Sequence, residues 1–160
     1  MSGKQYASFY LGKNLFGTDV RLIREIYHSS DIMFVDGAPK FVRGLLNLRG
    51  QIVTVIDVRG LMGLAGAGGA NDDRHYAVLK TSDELDEKRA EDRTIEVTSR
   101  DLIALEVDSI GDIVTCEDNE IESTPANMGE MEGRFILGVV KLESELLIVL
   151  KISELLISCL

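Results

Sequence analysis

The stretch from Phe41 to Met62, FVRGLLNLRGQIVTVIDVRGLM, recurs without a gap 94 positions later as FILGVVKLESELLIVLKISELL, Phe135 to Leu156. Phe41/Phe135, Gly44/Gly138, Leu48/Leu142, Val55/Val149 and Leu61/Leu155 are identical, and most other core positions match in apolar character. A looser echo relates Val20, Ile23, Glu25 and Ile26 to Val107, Ile110, Asp112 and Ile113. Self-similarity of this kind marks a duplicated unit. It constrains the chain to two similar small cores, with pseudo-repeats at about 15–64 and 102–156 inside one domain, 1–160. Strands are free to cross between the two.

Within the first copy, Val42 to Leu48 and Ile52 to Val58 flank Arg49-Gly50, where glycine supplies the positive φ of a tight antiparallel connection. This predicts a hairpin. Ile52, Val53, Val55, Ile56 and Val58 place apolar side chains on both faces of its second strand, which predicts a strand between two packed layers. Asp57 can cap a short helix over Val58 to Met62, ended by Gly63. The paired glycines, Gly44 and Gly138, are grouped with Gly50 and Asp57 as structural turn residues, at places where the backbone must approach a neighbour closely.

Elsewhere, Gln5 to Leu11 reads as a strand, Gly12-Lys13-Asn14 as a turn and Leu15 to Asp19 as the next strand. Val20, Ile23 and Ile26 have threefold spacing, but their β-branched content and the echo at Val107 favour a strand with an irregular start. Asp36-Gly37-Ala38-Pro39 is a loop, and Ala65 to Asp73 is flexible punctuation. Its glycines lack the ending that would grip a phosphate. Tyr76 to Lys80 is a strand. The charge run Ser82 to Arg93 predicts a solvated loop or short surface helix, dispensable for folding. Thr94 to Thr98 and Leu102 to Val107 predict a hairpin across Ser99-Arg100-Asp101, leading into a strand over Ile110 to Cys116. Glu117 to Gly133 is acidic and loop-like. Ile152 to Leu160 predicts a closing helix with Leu155, Leu156 and Leu160 on its packed face.

The balance of 17 Lys+Arg against 27 Asp+Glu, a formal charge of -10, disfavours nucleic acid and anionic lipid as partners. Lys40, Arg43, Arg49 and Arg59 form a basic island in that acidic background, a candidate docking surface. No apolar run is long enough to span a bilayer and the N-terminal segment does not resemble a signal peptide, which predicts a cytoplasmic protein without membrane insertion. Cys116 and Cys159 read as packing residues. His28 and His75 lie in unrelated sequence contexts and read as surface or turn residues. Neither catalytic residues, nor a metal cluster, nor a cofactor motif is expected. The pattern is that of an interaction module.

Val42-Arg43-Gly44, then Asn47-Leu48-Arg49-Gly50, then Val55-Ile56-Asp57-Val58-Arg59 resembles the most specific run of the CheW-like family, coupling proteins of bacterial and archaeal chemotaxis. Ile23-Arg24-Glu25-Ile26, Val107-Asp108-Ser109-Ile110, Gly138 to Leu142 and Leu147 to Leu150 extend the resemblance over nearly the whole chain. It implies a mainly all-β fold of two packed SH3-like five-stranded β-barrels with short helices, one of them C-terminal. It also implies a protein without catalytic activity or cofactor. Such a protein bridges the cytoplasmic tip of a methyl-accepting chemoreceptor and the regulatory domain of a CheA-type histidine kinase, at membrane-associated receptor arrays. Glu25, Asn47 and Arg49 are carried over as the receptor- and kinase-binding residues, with Asp57 ordering the turn. The chain departs from the family at Phe34, Asp36 and Thr54, where proline is frequent, and at Lys151, where an acidic residue is expected. A CheW-like paralogue acting as a competitor or in a non-flagellar array, and a split-barrel flavin enzyme, are the alternative functions.

Overall fold

The computed structural model describes residues 3–29, 31–64, 74–123 and 133–159. The expected linker Ala65 to Asp73, together with Pro125, Gly129 and Leu160, lies outside them. In chain order the strands are β1 (Lys4–Leu11), β2 (Asn14–Asp19), β3 (Ile23–Ser29), β4 (Val42–Leu48), β5 (Gln51–Ile56), β6 (Arg74–Leu79), β7 (Ile103–Val107), β8 (Ser109–Cys116), β9 (Ile121–Glu122), β10 (Ile136–Lys141) and β11 (Leu146–Leu150). The helices are α1 (Val58–Leu61), α2 (Ser82–Glu91) and α3 (Ile152–Cys159).

Two sheets form, in the orders β8-β1-β2-β11-β10-β9 and β3-β6-β7-β5-β4. They are the two SH3-like subdomains. The N-terminal hairpin β1–β2 belongs to the same sheet as the C-terminal strands, joined through a parallel pairing of β2 with β11. The second sheet has the corresponding parallel join between β5 and β7. One sheet has the five strands expected and the other has six, because Ile121–Glu122 pairs with β10. The single bridge Met33↔Leu45 takes that place beside β4.

Three apolar clusters hold this arrangement together. Leu46, Leu48, Val53, Val55, Tyr76, Val78 and Ala104 fill the five-stranded subdomain. Tyr6, Leu15, Cys116, Val140, Leu147 and Val149 fill the other. The largest cluster draws on both, from Phe9, Phe16 and Ile148 to Ile56, Leu79 and Leu105, and takes in α1, α3 and Leu85. Strand β5 serves two of these clusters, sending Val53 and Val55 into its own subdomain and Ile56 towards the interface between the subdomains. Ile52 departs from the expected double burial. It is 61% exposed near the hairpin tip, beyond the reach of either layer.

The local chemistry explains the elements. Leu48 pairs with Gln51 across a two-residue turn, and Arg49 (φ 52) and Gly50 (φ 83) both take positive φ, the type I′ pattern that matches strand twist. Asp57 caps α1 by accepting from the Gly60 amide at 3.0 Å. The helix ends with Leu64 donating to Arg59 and Gly63 (φ 72) donating to Gly60, a Schellman stop. The offset seen in the sequence returns in the backbone. Both hairpins slip register after their first pair, between Val42 and Gly44 and between Ile136 and Gly138. The amides of Asp57 and Lys151 donate to the carbonyls of Phe41 and Phe135.

Three expectations are corrected. Gly44 and Gly138 are not turn residues but lie inside β4 and β10. A Cβ on Gly138 would sit 2.7 Å from Ile121 Cγ2 and 2.8 Å from the Glu122 carbonyl, and one on Gly44 would press into the Met33 carbonyl. Thr94 to Thr98 is not a strand, because β6 and β5 occupy both edges of β7 and leave nothing to pair with. The irregular start expected of the strand after Asp19 is present as a 3-10 turn, Val20–Leu22, before β3. The charge run is helical but not dispensable in its packing: Leu85 is fully buried in the central cluster.

Candidate functional site: the hairpin tip and the groove between the sheets

The three residues carried over by resemblance meet at the β4–β5 tip. Asn47 Oδ1 accepts the Gly50 amide at 2.9 Å, a side chain-to-backbone bond that steadies a turn in which Arg49, a non-glycine residue, occupies the left-handed region. From there Arg49 forks onto Glu25 of β3, Nη1 to Oε2 at 2.8 Å and Nη2 to Oε1 at 2.9 Å. The Arg49 side chain is 73% exposed and that of Glu25 only 23%. The hydrogen bonds from Arg49 hold the Glu25 carboxyl below its ordinary range, assisted by the Arg49 and Arg24 charges, and those to Glu25 raise the guanidinium. Asn47 therefore shapes the tip, while Arg49 and Glu25 present a planar charged pair to solvent.

The register of β3 slips between Ile23 and Glu25, so Arg24 is the bulged residue. Bulges re-aim side chains. Arg24 turns to α2, where its Nε donates to Glu84 Oε1 at 2.9 Å. The other Glu84 oxygen accepts the Thr81 amide at 2.7 Å in a capping box. At the far end of α2, Arg21 Nη1 donates to Asp92 at 2.9 Å.

The basic island does not survive folding as a free surface. Arg59 pairs with Asp108, which also accepts the Gly12 amide. Arg43 stacks on the Phe34 ring and lies 3.4 Å from Glu106, which Arg74 approaches to 3.3 Å. Burial pushes the Glu106 carboxyl up despite these two arginines. The three arginines of the island each face a carboxylate distant in sequence, while Lys40 lies over the Phe41 ring, which is why the local count was misleading.

Sequence reasoning missed a groove of about 240 Å³ between the two sheets. Its walls are almost wholly apolar, with Phe9, Ile23, Ile26, Ala77, Ile110 and Ile113 prominent. Ile26, Ile110 and Ile113 remain 42%, 39% and 58% exposed. The signal was present in the echo, whose Ile23 and Ile26 face Ile110 and Ile113 across the groove. Because neighbouring strand residues point to opposite faces, β3 gives Ile26 to the groove and Glu25 to the charged pair. The two histidines, expected in unrelated contexts, are cross-strand partners on β3 and β6 with rings stacked at 4.6 Å. Cys116 and Cys159 are buried and free, the second with its thiol pushed up to about 12 by burial. Among the described residues no group of three or more His, Cys, Asp or Glu side chains could hold a metal ion.

Comparison with known proteins agrees over the full breadth of the fold. The chain is 25% identical over 152 residues to a chemotaxis protein CheW of Rhizobium meliloti, covering 95% of this chain and 86% of that protein. It is 25% identical over 154 residues to the Treponema pallidum chemotaxis protein CheW, covering 94% and 81%. The crystal structure of the scaffolding protein TtCheW from Thermoanaerobacter tengcongensis superposes with a TM-score of 0.72 at 23% identity, over 92% of this chain and 84% of that one. The profile of the CheW-like domain matches residues 5–159, and the chain belongs to that family.

Proposed function

We propose that the protein is a non-catalytic adaptor that couples a chemoreceptor cytoplasmic tip to a CheA-type histidine kinase. The observation that carries this is the apolar groove, a ready seat for the apolar face of a partner helix. On the opposite face of β3, the exposed Arg49–Glu25 fork supplies directional charged contacts that fix register more than they add affinity. Relatives named as chemotaxis and scaffolding proteins support the reading. No described helix is long and apolar enough to cross a membrane. In this reading the protein works at the cytoplasmic face and reaches arrays through its partners.

The test is reconstitution of receptor membranes with a CheA-type kinase, measuring receptor-controlled autophosphorylation with wild type and Ile113→Asp. Ile113 is mostly exposed, so the variant should fold. The expected result is stimulation by wild type and its loss in the variant. Occupancy of the array without stimulation by wild type would indicate a competitor instead, and failure to bind either partner would reject the proposal.

A further inference from the structure

The fork at Arg49 is one end of a chain of alternating charge that runs from the hairpin tip to α2. Arg49 holds both oxygens of Glu25. The next residue, Arg24, is re-aimed by the β3 bulge and is held by Glu84 in the first turn of α2. The Arg24 charge acts on Glu25 as well. Arg24 is thus bonded to Glu84, while Glu25 is its immediate neighbour in the chain.

We infer that Glu84 is a positioning residue for the coupling site: by engaging Arg24 it leaves Glu25 free to hold Arg49 in its two-armed orientation. The placement of α2 supports this role. Arg21 and Arg24, three residues apart, grip Asp92 and Glu84 near its opposite ends, and Leu85 roots it in the central core. Glu84 is therefore fixed relative to β3, and its carboxylate serves both the capping box and Arg24. Without the Glu84 charge, Arg24 competes for Glu25 and Arg49 loses an arm. The inference rests on the coupling role proposed above only for its effect on binding; its effect on Arg49 belongs to the free protein.

Glu84→Gln is the discriminating variant, since glutamine also completes a capping box and the helix should stay folded. In the free protein, NMR of the Arg49 Nε–Hε group should report a held side chain in wild type and a mobile one in Glu84→Gln at an unchanged melting temperature. Affinity for a purified soluble fragment of a chemoreceptor tip is then compared among wild type, Glu84→Gln, Arg49→Gln and the double variant. Glu84→Gln should weaken binding roughly threefold in the wild-type background and hardly at all when Arg49 is already glutamine, the mark of coupled residues. Equal weakening in both backgrounds, or an Arg49 signal that does not change, overturns the inference. If Arg49→Gln itself binds normally, the coupling reading of Arg49 fails, and the NMR result alone decides whether Glu84 positions it.

Discussion

Arg49 is asked for two different things, a backbone conformation that favours glycine and a side chain only arginine can supply. Glycine would ease the turn but abolish the fork; lysine would keep the charge but lose the planar two-armed contact. Arg49→Glu sets two carboxylates against each other, so its melting temperature should fall, and the exchange Glu25→Arg with Arg49→Glu should recover most of the loss. An exchange no better than the single variant would show that the pair does not interact in solution. The pair is exposed enough for water and salt to screen it, so the shifts should be small and shrink with added salt. Because the Glu25 carboxyl lies below its usual 4.5 in the folded state, its contribution is present above the unfolded value and lost as pH falls through the folded one. The stability gap between wild type and Glu25→Gln should therefore close in acid, and a gap constant from neutral pH down would contradict the pairing. The two glycines nearby separate space from conformation. A methyl group on Gly50 would meet nothing within 4 Å, but the φ there is 83, so Gly50→Ala should cost about 1 kcal/mol through the backbone alone. Gly44→Ala meets the Met33 carbonyl instead and should cost about 2 kcal/mol as overpacking. Denaturant melts giving the reverse order would refute this division. The turn itself was legible from Arg49-Gly50 because its chemistry is local. Its partner Glu25 was not, since the fork closes across 24 positions through a strand pairing that no local pattern encodes.

Helix α2 shows how a single apolar side chain changes the standing of a whole element. Its sequence, SDELDEKRAE, has no apolar stripe, so periodicity gives no reason to pack it. Leu85 nevertheless lies fully buried among residues of both subdomains. Leu85→Ala should destabilise the protein by about 2–4 kcal/mol, the range for truncating a buried leucine, and replacing Ser82 to Asp92 by a short Gly/Ser link should cost at least as much. A deletion that melts like wild type would return α2 to the status of a dispensable surface helix. The capping box from Thr81 to Glu84 was legible in principle, since the pattern needs only local spacing. The misassigned Thr94 to Thr98 strand failed for the opposite reason. Its composition suits a strand, but strand formation requires a free edge, and which edges are free is set by the order of the sheets.

That order makes the two subdomains interdependent. The N-terminal hairpin lies inside the six-stranded sheet, between β8 on one side and β11 on the other, so this subdomain draws on both ends of the described chain. The repeated pattern at Phe41 and Phe135 announced two similar cores. It did not announce the third, which forms only when helices and sheet faces from both subdomains come together. We read the two units as copies of one ancestral hairpin-and-helix arrangement, with the shared register slip and the shared Phe carbonyl bond as support. Copies that had stayed independent would each keep a closed core and unfold separately. Here the largest apolar cluster is common property, and exposing it by opening one subdomain removes the cover from the other. Thermal unfolding should therefore be one cooperative transition, with calorimetric and van't Hoff enthalpies equal. Val140→Ala, placed in the core of the six-stranded subdomain, should lower the melting temperature reported from either subdomain by the same amount. Hydrogen exchange can supply both readings, following slow amides of β5 in one sheet and β11 in the other. Two calorimetric peaks, or protection lost in β11 while β5 keeps its wild-type value, would show that the common core couples the subdomains too weakly to bind them into one folding unit.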